Sequence, residues 1–362
     1  MRNHQPPRSG VLSSTAPASE TQPPVTRRRF LQAGAAGAAM AAGALRSVQA
    51  ASLELRETTA AVPVSVGDAR HLFADDRLLD AARTRDAVPT MNRPVGVERV
   101  LTPEMPWETL GFIFYSTVIE DEKEIKLYYG SYGWDGRIQR HFCLATSSDG
   151  VHFERARMGA KVYDGKSVAT NFMFPTAVEV GVFLDPRAER PDTRYRMVYS
   201  AGGIEHPDRG GMYTATSADG IRWAKNPTRL LPFIPDSQHT AYWDQRLQKY
   251  VIYMRAWGPR GREVCRAEVA DIDQPWPYDT SATLRYPWGK DKTPTLGQQY
   301  PSVMAPDEQD PENLDIYTNV VTPYPYAANA AFAFPAVYFK FVGPDWKERA
   351  LSGNDGNFEV QL

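Results

Sequence analysis

Cysteine is nearly absent from this chain, which has only Cys143 and Cys265 in 362 residues. So low a content excludes the disulfide-stapled folds that small secreted domains use. The two cysteines occupy equivalent positions in non-adjacent copies of an internal repeat, which places them too far apart to bridge. Both are therefore predicted to be buried thiols.

The chain also lacks a surplus of charge of either sign. Its 41 Lys and Arg residues face 43 Asp and Glu residues, which gives a formal net charge of −2 at pH 7. Proteins that bind nucleic acid carry a basic patch or a high net positive charge, so nucleic acid is not an expected partner. Helical periodicity and long apolar runs are missing after residue 50, which favours an all-β fold.

Several catalytic and metal-binding motifs are absent as well. The six histidines show no HxxxH or Cys/His spacing, so no zinc site is predicted. The chain has neither a Gly-x-Ser-x-Gly nucleophile motif nor a glycine-rich phosphate loop. We therefore predict no cofactor, and a calcium ion held by Asp and Asn oxygens in a central channel remains the alternative.

The first 50 residues are predicted to be an export signal rather than part of the fold. Residues 26–32 read TRRRFLQ, a twin-arginine pattern, and residues 48–50 end on the small residue that signal peptidases prefer. The alternative, a membrane anchor, is disfavoured because the Ala/Gly stretch at 33–45 is too short to span a bilayer. We expect residues 1–50 to direct export by the twin-arginine machinery to the periplasm or beyond. The mature domain would then be 51–362, with no membrane attachment.

A repeat with a 70-residue offset is the strongest pattern in the mature chain. KLYYG at 126–130 matches RMVYS at 196–200, and ATSSDGVHF at 145–153 matches ATSADGIRW at 215–223. A weaker third copy aligns Cys265 with Cys143. Repeats of this length, with four β-segments in each copy, are typical of β-propeller blades.

Alternation, aromatic and β-branched residues and turn residues place about three and a half four-stranded blades. The chain stops part-way through the third strand of blade four, so we expect an incomplete propeller. The segment at 71–79 is expected to be the N-terminal strand that closes the last blade. The strands are predicted at 112–120, 125–131, 141–147 and 151–155 for blade one; 172–184, 195–200, 212–217 and 221–225 for blade two; 240–243, 250–255, 263–269 and 281–284 for blade three; and 315–322, 330–341 and 357–362 for blade four.

Alternate loops of antiparallel blades lie on opposite faces of a propeller. The Asp-Gly pairs at 149–150 and 219–220 join third and fourth strands and are predicted to be structural turns. The other face collects the segments that lead into each inner strand. Carboxylates that meet there could supply the acid and base of glycosidic hydrolysis, while loop capping is the alternative for each acid alone. The candidate side chains of these segments are Trp107, Glu108, Asn171, Asp236, His239, Asp315 and Asn319.

The loops between second and third strands lie on the same face. They read GWDGR at 133–137, IEHPDR at 204–209 and WGPRGR at 257–262. Trp134 and Trp257 are predicted to stack on sugar rings, and the arginines to bind a carboxylate or sulfate of a saccharide. The alternative is that the tryptophans pack against neighbouring loops and the arginines are solvated.

The chain resembles the five-bladed β-propeller glycoside hydrolase-like proteins, which are related to the arabinanases, invertases and mannoside phosphorylases. The resemblance rests on the blades, on FLDP at 183–186 before RYRMVY at 194–199, and on YWD at 242–244 before KYVIYMR at 249–255. It covers residues 73–362. It implies a five-bladed propeller with catalytic carboxylates on successive inner strands.

The resemblance implies catalytic roles for up to four acids of this chain. Glu108 or Asp315 would be the general acid, and Asp236 the base or nucleophile. Asp76, in the closing strand, is a further candidate. The orienting groups would be Arg255 and His239.

The leading hypothesis is an exported glycoside hydrolase that acts on a polysaccharide or oligosaccharide. The chain departs from the family pattern, however. It has no Asn-Asp-Pro-Asn-Gly or Glu-Cys motif of the invertases, and Asn171 stands where an arabinanase-like enzyme has an acid. Two alternatives therefore remain: a propeller that binds carbohydrate without cleaving it, and an inactive truncated gene product.

Overall fold

The structure is a computed structural model. The chain divides into two compact units, residues 1–67 with 73–95 and residues 68–72 with 96–362, and every strand given below belongs to the second unit. The export signal, Asp76 with most of the closing strand, the segment 281–284 and the loop 204–209 lie outside the described residues. The described residues are 67, 70–72, 96, 98–110, 113–122, 124–134, 138–163, 165–174, 179–201, 210–232, 234–277, 301–327, 330–341 and 356–360.

The described residues form five antiparallel sheets, of which four are arranged as the blades of a β-propeller and the fifth is a two-stranded hairpin. Their helical elements are two short 3-10 turns, Pro106–Glu108 and Pro191–Thr193. None of the helices in this part of the chain is long and apolar enough to cross a membrane. The predicted all-β propeller is confirmed.

Blade one contains the longest ladder of the fold. Its strands are β1 (Ile113–Asp121), β2 (Glu124–Trp134), β3 (Ile138–Ser147) and β4 (Glu154–Arg155), paired in that order. A hairpin of β5 (Gly159–Tyr163) and β6 (Lys166–Thr170) follows, and β7 (Phe172–Phe174) then pairs with β3. The sequence prediction assigned Phe172 to blade two. It belongs to blade one because its ring stacks on His141, with centroids 3.9 Å apart, and packs edge-on against Trp107.

Blade two repeats the four-stranded pattern of blade one. Its strands are β8 (Val180–Leu184), β9 (Tyr195–Ala201), β10 (Gly211–Ser217) and β11 (Ala224–Leu231), with β8 innermost. The second and third strands match the prediction to within a residue or two. The innermost strand is shorter than predicted, because the predicted segment 172–184 is divided between two blades.

The two Asp-Gly turns have the same hydrogen bonds, as their sequence repeat predicts. Ser217 Oγ accepts the amide of Gly220 at 2.9 Å, and Asp219 Oδ1 accepts the amide of Ile221 at 2.8 Å. The corresponding distances around Asp149 are 3.0 and 2.9 Å. Both turn glycines have φ above +70°, a conformation that favours glycine. These aspartates are therefore structural.

Blades three and four complete the described fold. Blade three is β12 (Thr240–Asp244), β13 (Lys249–Gly258), β14 (Gly261–Val269) and β15 (Ser302–Met304). Blade four is β16 (Leu314–Pro323), β17 (Ala331–Lys340) and β18 (Gly356–Val360). The fourth strand of blade three thus lies about 20 residues after the predicted segment, because a long stretch of chain separates it from β14.

Successive blades pack through apolar faces and through their inner strands. Strand β8 contacts both β1 and β12, and β12 contacts β16. The approach is very close at Gly181, where a Cβ atom would overlap the carbonyl of His239. Apolar cores fill the blade interfaces, and Cys143 and Cys265 are buried and unbridged, as predicted. The segments that lead into the inner strands of blades two and three therefore lie at the same end of those neighbouring strands.

Candidate functional site

Asp236 lies in the loop that leads into β12, with a left-handed φ of 55°. Its carboxylate accepts a hydrogen bond from Arg255 Nη1 at 2.9 Å, and its side chain remains 30% exposed. Arg255 itself is buried; its Nε donates to the Tyr317 carbonyl at 2.7 Å, and its guanidinium carbon lies 4.2 Å from the Tyr317 ring centre. Asp236 is thus an accessible carboxylate paired with a buried arginine, and the orienting role expected of Arg255 stays a prediction.

The environment of Asp236 favours its protonated form. Burial raises the pKa of its carboxyl group above the ordinary value. Three arginines, Arg255, Arg262 and Arg140, oppose the rise without cancelling it. A carboxyl group with a raised pKa can hold and release a proton closer to neutral pH, which is what acid–base catalysis needs.

A second carboxylate, Glu179, lies next to this site and was missed in the sequence. It directly precedes β8, and its Oε1 lies 3.6 Å from Arg140 Nη1. The run of apolar residues that follows it, VGVFL at 180–184, was the available signal. That signal was obscured because the preceding aromatic segment at 172–174 looked like the start of the same strand.

Tyr115 shows that the two acids converge. A bulge in β1 between Phe114 and Thr117 gives Tyr115 a φ of 51°, and the side chain points into the site. Burial raises the pKa of Tyr115 most, and the carboxylates of Asp236 and Glu179 add to the rise. Carboxylates from blades two and three therefore both raise the pKa of one side chain of blade one.

These residues form one group, which we call the polar cluster. All four blades contribute to it, and Gln238 Nε2 ties the loop of blade three to blade one by donating to the Ser116 carbonyl at 2.8 Å. Tyr115 and Asp236 have the left-handed backbone that concentrates at functional sites, whereas the other described non-glycine examples, Glu122 and Gln248, lie in hairpin turns. The polar cluster consists of Tyr115, Tyr132, Arg140, Glu179, Asp236, Arg255, Arg262 and Tyr317.

Asp315 lies behind the polar cluster and is fully buried. Arg262 Nη1 donates to its Oδ2 at 2.6 Å, and Lys340 Nζ donates to its Oδ1 at 2.8 Å. A carboxylate without exposed surface is placed to orient Arg262 rather than to meet a ligand. The general-acid role that the resemblance implies for Asp315 stays a prediction.

Glu108 is not brought to the polar cluster. It ends the 3-10 turn that covers the face of blade one away from blade two, where Tyr129 and Arg155 donate to its carboxylate at 2.8 and 2.7 Å. Burial alone would raise the pKa of Glu108. The hydrogen bonds from Arg155, the backbone amides of residues 104 and 105, and Tyr129 outweigh it and leave the pKa lowered. A general acid needs the opposite shift.

Trp107 and Asn171 belong to the same buried network as Glu108. Trp107 Nε1 donates to Asn171 Oδ1 at 3.1 Å, and Asn171 Nδ2 donates to the Tyr129 hydroxyl at 2.8 Å and to the Leu144 carbonyl at 2.9 Å. Asn171 was expected to lead into blade two. It lies in blade one instead, because the strand that follows it pairs with β3.

His239 and Asn319 lie close to the polar cluster and are buried. Burial and Arg255 lower the pKa of His239 to about 3, so its ring is neutral, and its Nε2 lies 2.8 Å from Ser200 Oγ. Buried polar atoms almost always have a partner. In this part of the described structure several buried polar atoms lack a partner within the protein, which marks a polar interior next to the accessible carboxylate of Asp236. These atoms are Ser237 Oγ, His239 Nδ1, Arg255 Nη2, Arg262 Nε, Thr318 Oγ1 and Asn319 Oδ1.

The two predicted stacking tryptophans have different surroundings. Trp134 ends β2 with 58% of its surface exposed, which is the exposure that stacking on a sugar requires. Trp257 is partly buried, and the Arg262 guanidinium carbon lies 4.7 Å from its ring centre. Trp134 is thus presented to solvent, whereas Trp257 packs against the polar cluster.

A calcium ion needs several oxygen ligands close together. The described residues contain no group of three or more His, Cys, Asp or Glu side chains placed to bind a metal ion. The calcium alternative therefore gains no ligand set from this part of the chain.

Comparisons with known proteins give structural similarities only. No protein-family model and no curated protein sequence matches the chain. An endo-arabinase from Bacteroides thetaiotaomicron has a TM-score of 0.42 at 9% identity, over 71% of this chain and 75% of that one. A glycosyl hydrolase from Bacteroides ovatus has a TM-score of 0.40 at 14% identity, over 69% and 70%. A GH32 β-fructofuranosidase from Bombyx mori has a TM-score of 0.39 at 11% identity, over 68% and 46%. The four blades of the structure itself identify the chain as a β-propeller.

Proposed function

We propose that this protein is an exported glycoside hydrolase that cleaves a polysaccharide or oligosaccharide at the mouth of the propeller channel. One observation carries the proposal: the segments that enter blades two and three each present an arginine-paired carboxylate to the polar cluster, Glu179 at 3.6 Å from Arg140 and Asp236 at 2.9 Å from Arg255. Hydrolysis of a glycosidic bond uses two carboxyl groups, one that protonates the leaving oxygen and one that activates water or attacks the sugar. The polar cluster supplies such a pair.

The two carboxyl groups take different roles in this proposal. Asp236 is the proton donor, because burial raises its pKa and its side chain is accessible. Glu179 is the base or nucleophile, since it approaches the same tyrosine from the neighbouring blade. Arg255 orients Asp236 through the 2.9 Å hydrogen bond. The chemistry needs no cofactor.

A propeller that binds carbohydrate without cleaving it is the second candidate. The exposed ring of Trp134 favours it, because sugar-binding surfaces present aromatic rings in this way. The two candidates share the binding site and differ in whether Asp236 and Glu179 perform chemistry.

A screen of purified protein against a glycan panel, with binding and product release measured on each glycan, separates the candidates. Asp236→Asn is the test variant because asparagine tolerates the left-handed backbone of this position. Asp192→Asn is the matched control, since Asp192 is exposed and pairs with Arg190 in the first loop of blade two, on the opposite face.

A hydrolase should release product from at least one glycan. We expect Asp236→Asn to lose about 100-fold or more of that rate, and Asp192→Asn to keep it. Binding without release by the wild type would favour the second candidate. Equal release by the wild type and Asp236→Asn would remove Asp236 from catalysis.

Export is the part of the proposal that rests on residues 1–50 alone. Replacing Arg27 and Arg28 by lysine should leave the protein in the cytoplasm, whereas the unaltered chain should reach the periplasm. Cell fractionation measures both, and equal export of the two chains would contradict the twin-arginine route.

A further inference from the structure

The charges of the described ion pairs around the polar cluster do not balance. Glu179 faces Arg140 at 3.6 Å, and Asp236 faces Arg255 at 2.9 Å. Asp315 faces two cations, Arg262 at 2.6 Å and Lys340 at 2.8 Å. Four cationic side chains thus meet three carboxylates in these pairs, which leaves one positive charge without a counter-charge among them.

Two of the buried arginines also have N–H groups without a hydrogen-bond partner among the described residues. Arg255 Nη2 and Arg262 Nε are buried without a hydrogen-bond partner in the described residues. Both guanidinium groups lie against one ring, with their central carbons 4.2 and 5.2 Å from the Tyr317 centre. These buried guanidinium groups hold positive charge behind the accessible part of the polar cluster, and an anion bound there would balance it, whereas a neutral sugar would not.

Arg140 is the arginine that a ligand can reach. Its side chain is 55% exposed, and the structure gives its guanidinium one ion pair, to Glu179, and one ring contact, 5.4 Å from the centre of Tyr132. A guanidinium has five N–H donors in a planar fork that matches a carboxylate or a sulfate. Most of the donors of Arg140 therefore have no partner among the described residues and lie at the surface of the polar cluster.

We propose that the polar cluster selects a saccharide that carries an anionic group, a carboxylate or a sulfate, and that Arg140 contacts that group directly. The proposal rests on the proposed function in so far as both place a sugar at this site. It adds a substrate class, acidic sugars, and a residue that determines specificity. The excess positive charge and the unpartnered donors of Arg255 and Arg262 attract the anionic group, and Arg140 binds it.

Binding of small sugars tests the proposal without requiring turnover. The probes are sodium glucuronate, glucose 6-sulfate and glucose, which share one ring and differ in the anionic group, and ligand-detected NMR measures their affinity for the wild-type protein. We expect at least one of the two anionic sugars to bind about tenfold tighter than glucose, as a charge-assisted contact gives, and the difference to shrink at high salt. Which anionic sugar binds better tells carboxylate from sulfate.

Arg140→Gln should reduce the preference for the anionic sugar to about threefold or less. Arg140→Lys should retain part of the preference, because lysine keeps the positive charge but lacks the planar set of N–H donors of a guanidinium group. Arg222→Gln is the control, because Arg222 is 90% exposed in a turn of blade two and pairs only with Asp219. A melting curve of each variant shows that it is folded.

Three results would overturn the proposal: glucose bound as tightly as both anionic sugars, no binding of any of the three, or a preference that Arg140→Gln leaves intact. A loss of preference in Arg222→Gln equal to that in Arg140→Gln would also overturn it, by showing a general effect of charge. Tight binding of an acidic sugar without cleavage of any glycan would refute the proposed hydrolysis and leave this inference standing. Cleavage of neutral glycans with no preference for acidic ones would do the reverse.

Discussion

His141 offers a quantitative test of the packing of blade one. Its ring is buried, lies parallel to Phe172 at 3.9 Å, and has neither nitrogen hydrogen-bonded to a protein atom in the described structure. Burial and the charge of Lys161 lower its pKa from 6.5 to about 4. The folded protein therefore keeps this histidine neutral at a pH where the unfolded chain protonates it.

The sign of the effect follows from the lowered pKa. As pH falls below about 6.5, His141 binds a proton in the unfolded chain but not in the folded protein. The free energy of unfolding therefore decreases until pH reaches about 4. Each pKa unit corresponds to about 1.4 kcal/mol, so the loss from His141 between pH 7.5 and pH 4.5 is about 2–3 kcal/mol. His141→Phe keeps a flat ring against Phe172 and removes the titration. It should therefore lose about 2–3 kcal/mol less than the wild type over that range.

Urea denaturation followed by tryptophan fluorescence at both pH values measures the difference. Comparing each protein with itself at two pH values cancels the packing cost of the larger ring. Phe172→Leu is the control; it removes the stacking partner and leaves the histidine, so it should lower stability by a similar amount at both pH values. If His141→Phe shows the same loss between pH 7.5 and 4.5 as the wild type, His141 is not buried as a neutral ring.

Two further substitutions test the contacts on either side of the site. Glu108→Gln removes a buried carboxylate that accepts hydrogen bonds from Arg155 and Tyr129, although Arg155 keeps Glu104 as a second partner. The free energy of unfolding should therefore fall by about 1–3 kcal/mol, as urea denaturation would show; unchanged stability with lost glycan cleavage would instead support a catalytic Glu108. Gly181→Ala places a Cβ against the carbonyl of His239, so stability should fall by about 1–3 kcal/mol in the same assay, and a neutral result would show that β8 and the loop before β12 are not in contact.

The fold was predictable because the internal sequence repeat marks the strands and turns of each blade. The spacing of the Asp-Gly turns and of the matching strands at 126–130 and 196–200 was enough to locate blades one and two in the sequence. Blade boundaries were less predictable, since the run at 172–174 has a strand pattern that either neighbouring blade could use. The place of Phe172 in blade one depends on its ring contacts with His141 and Trp107, and both of these residues lie far from it in the sequence.

The site was only partly predictable. Asp236 was singled out because it lies just before an inner strand, whereas Arg255 was named only through the family resemblance. Glu108 also precedes an inner strand, yet the 3-10 turn folds it against blade one, where Arg155 binds it. Tyr115 has no sequence signal at all, because its position depends on a bulge that the tertiary structure imposes.

A rate comparison of Asp236→Asn, Glu179→Gln and the double variant, on the glycan that the wild type cleaves best, tests the central claim most directly. Two carboxyl groups that act as one catalytic unit are not additive, so each single variant should lose about 100-fold or more and the double variant little beyond that. Wild-type rates in both single variants, or small losses that multiply in the double variant, would contradict the claim that blades two and three supply one catalytic pair.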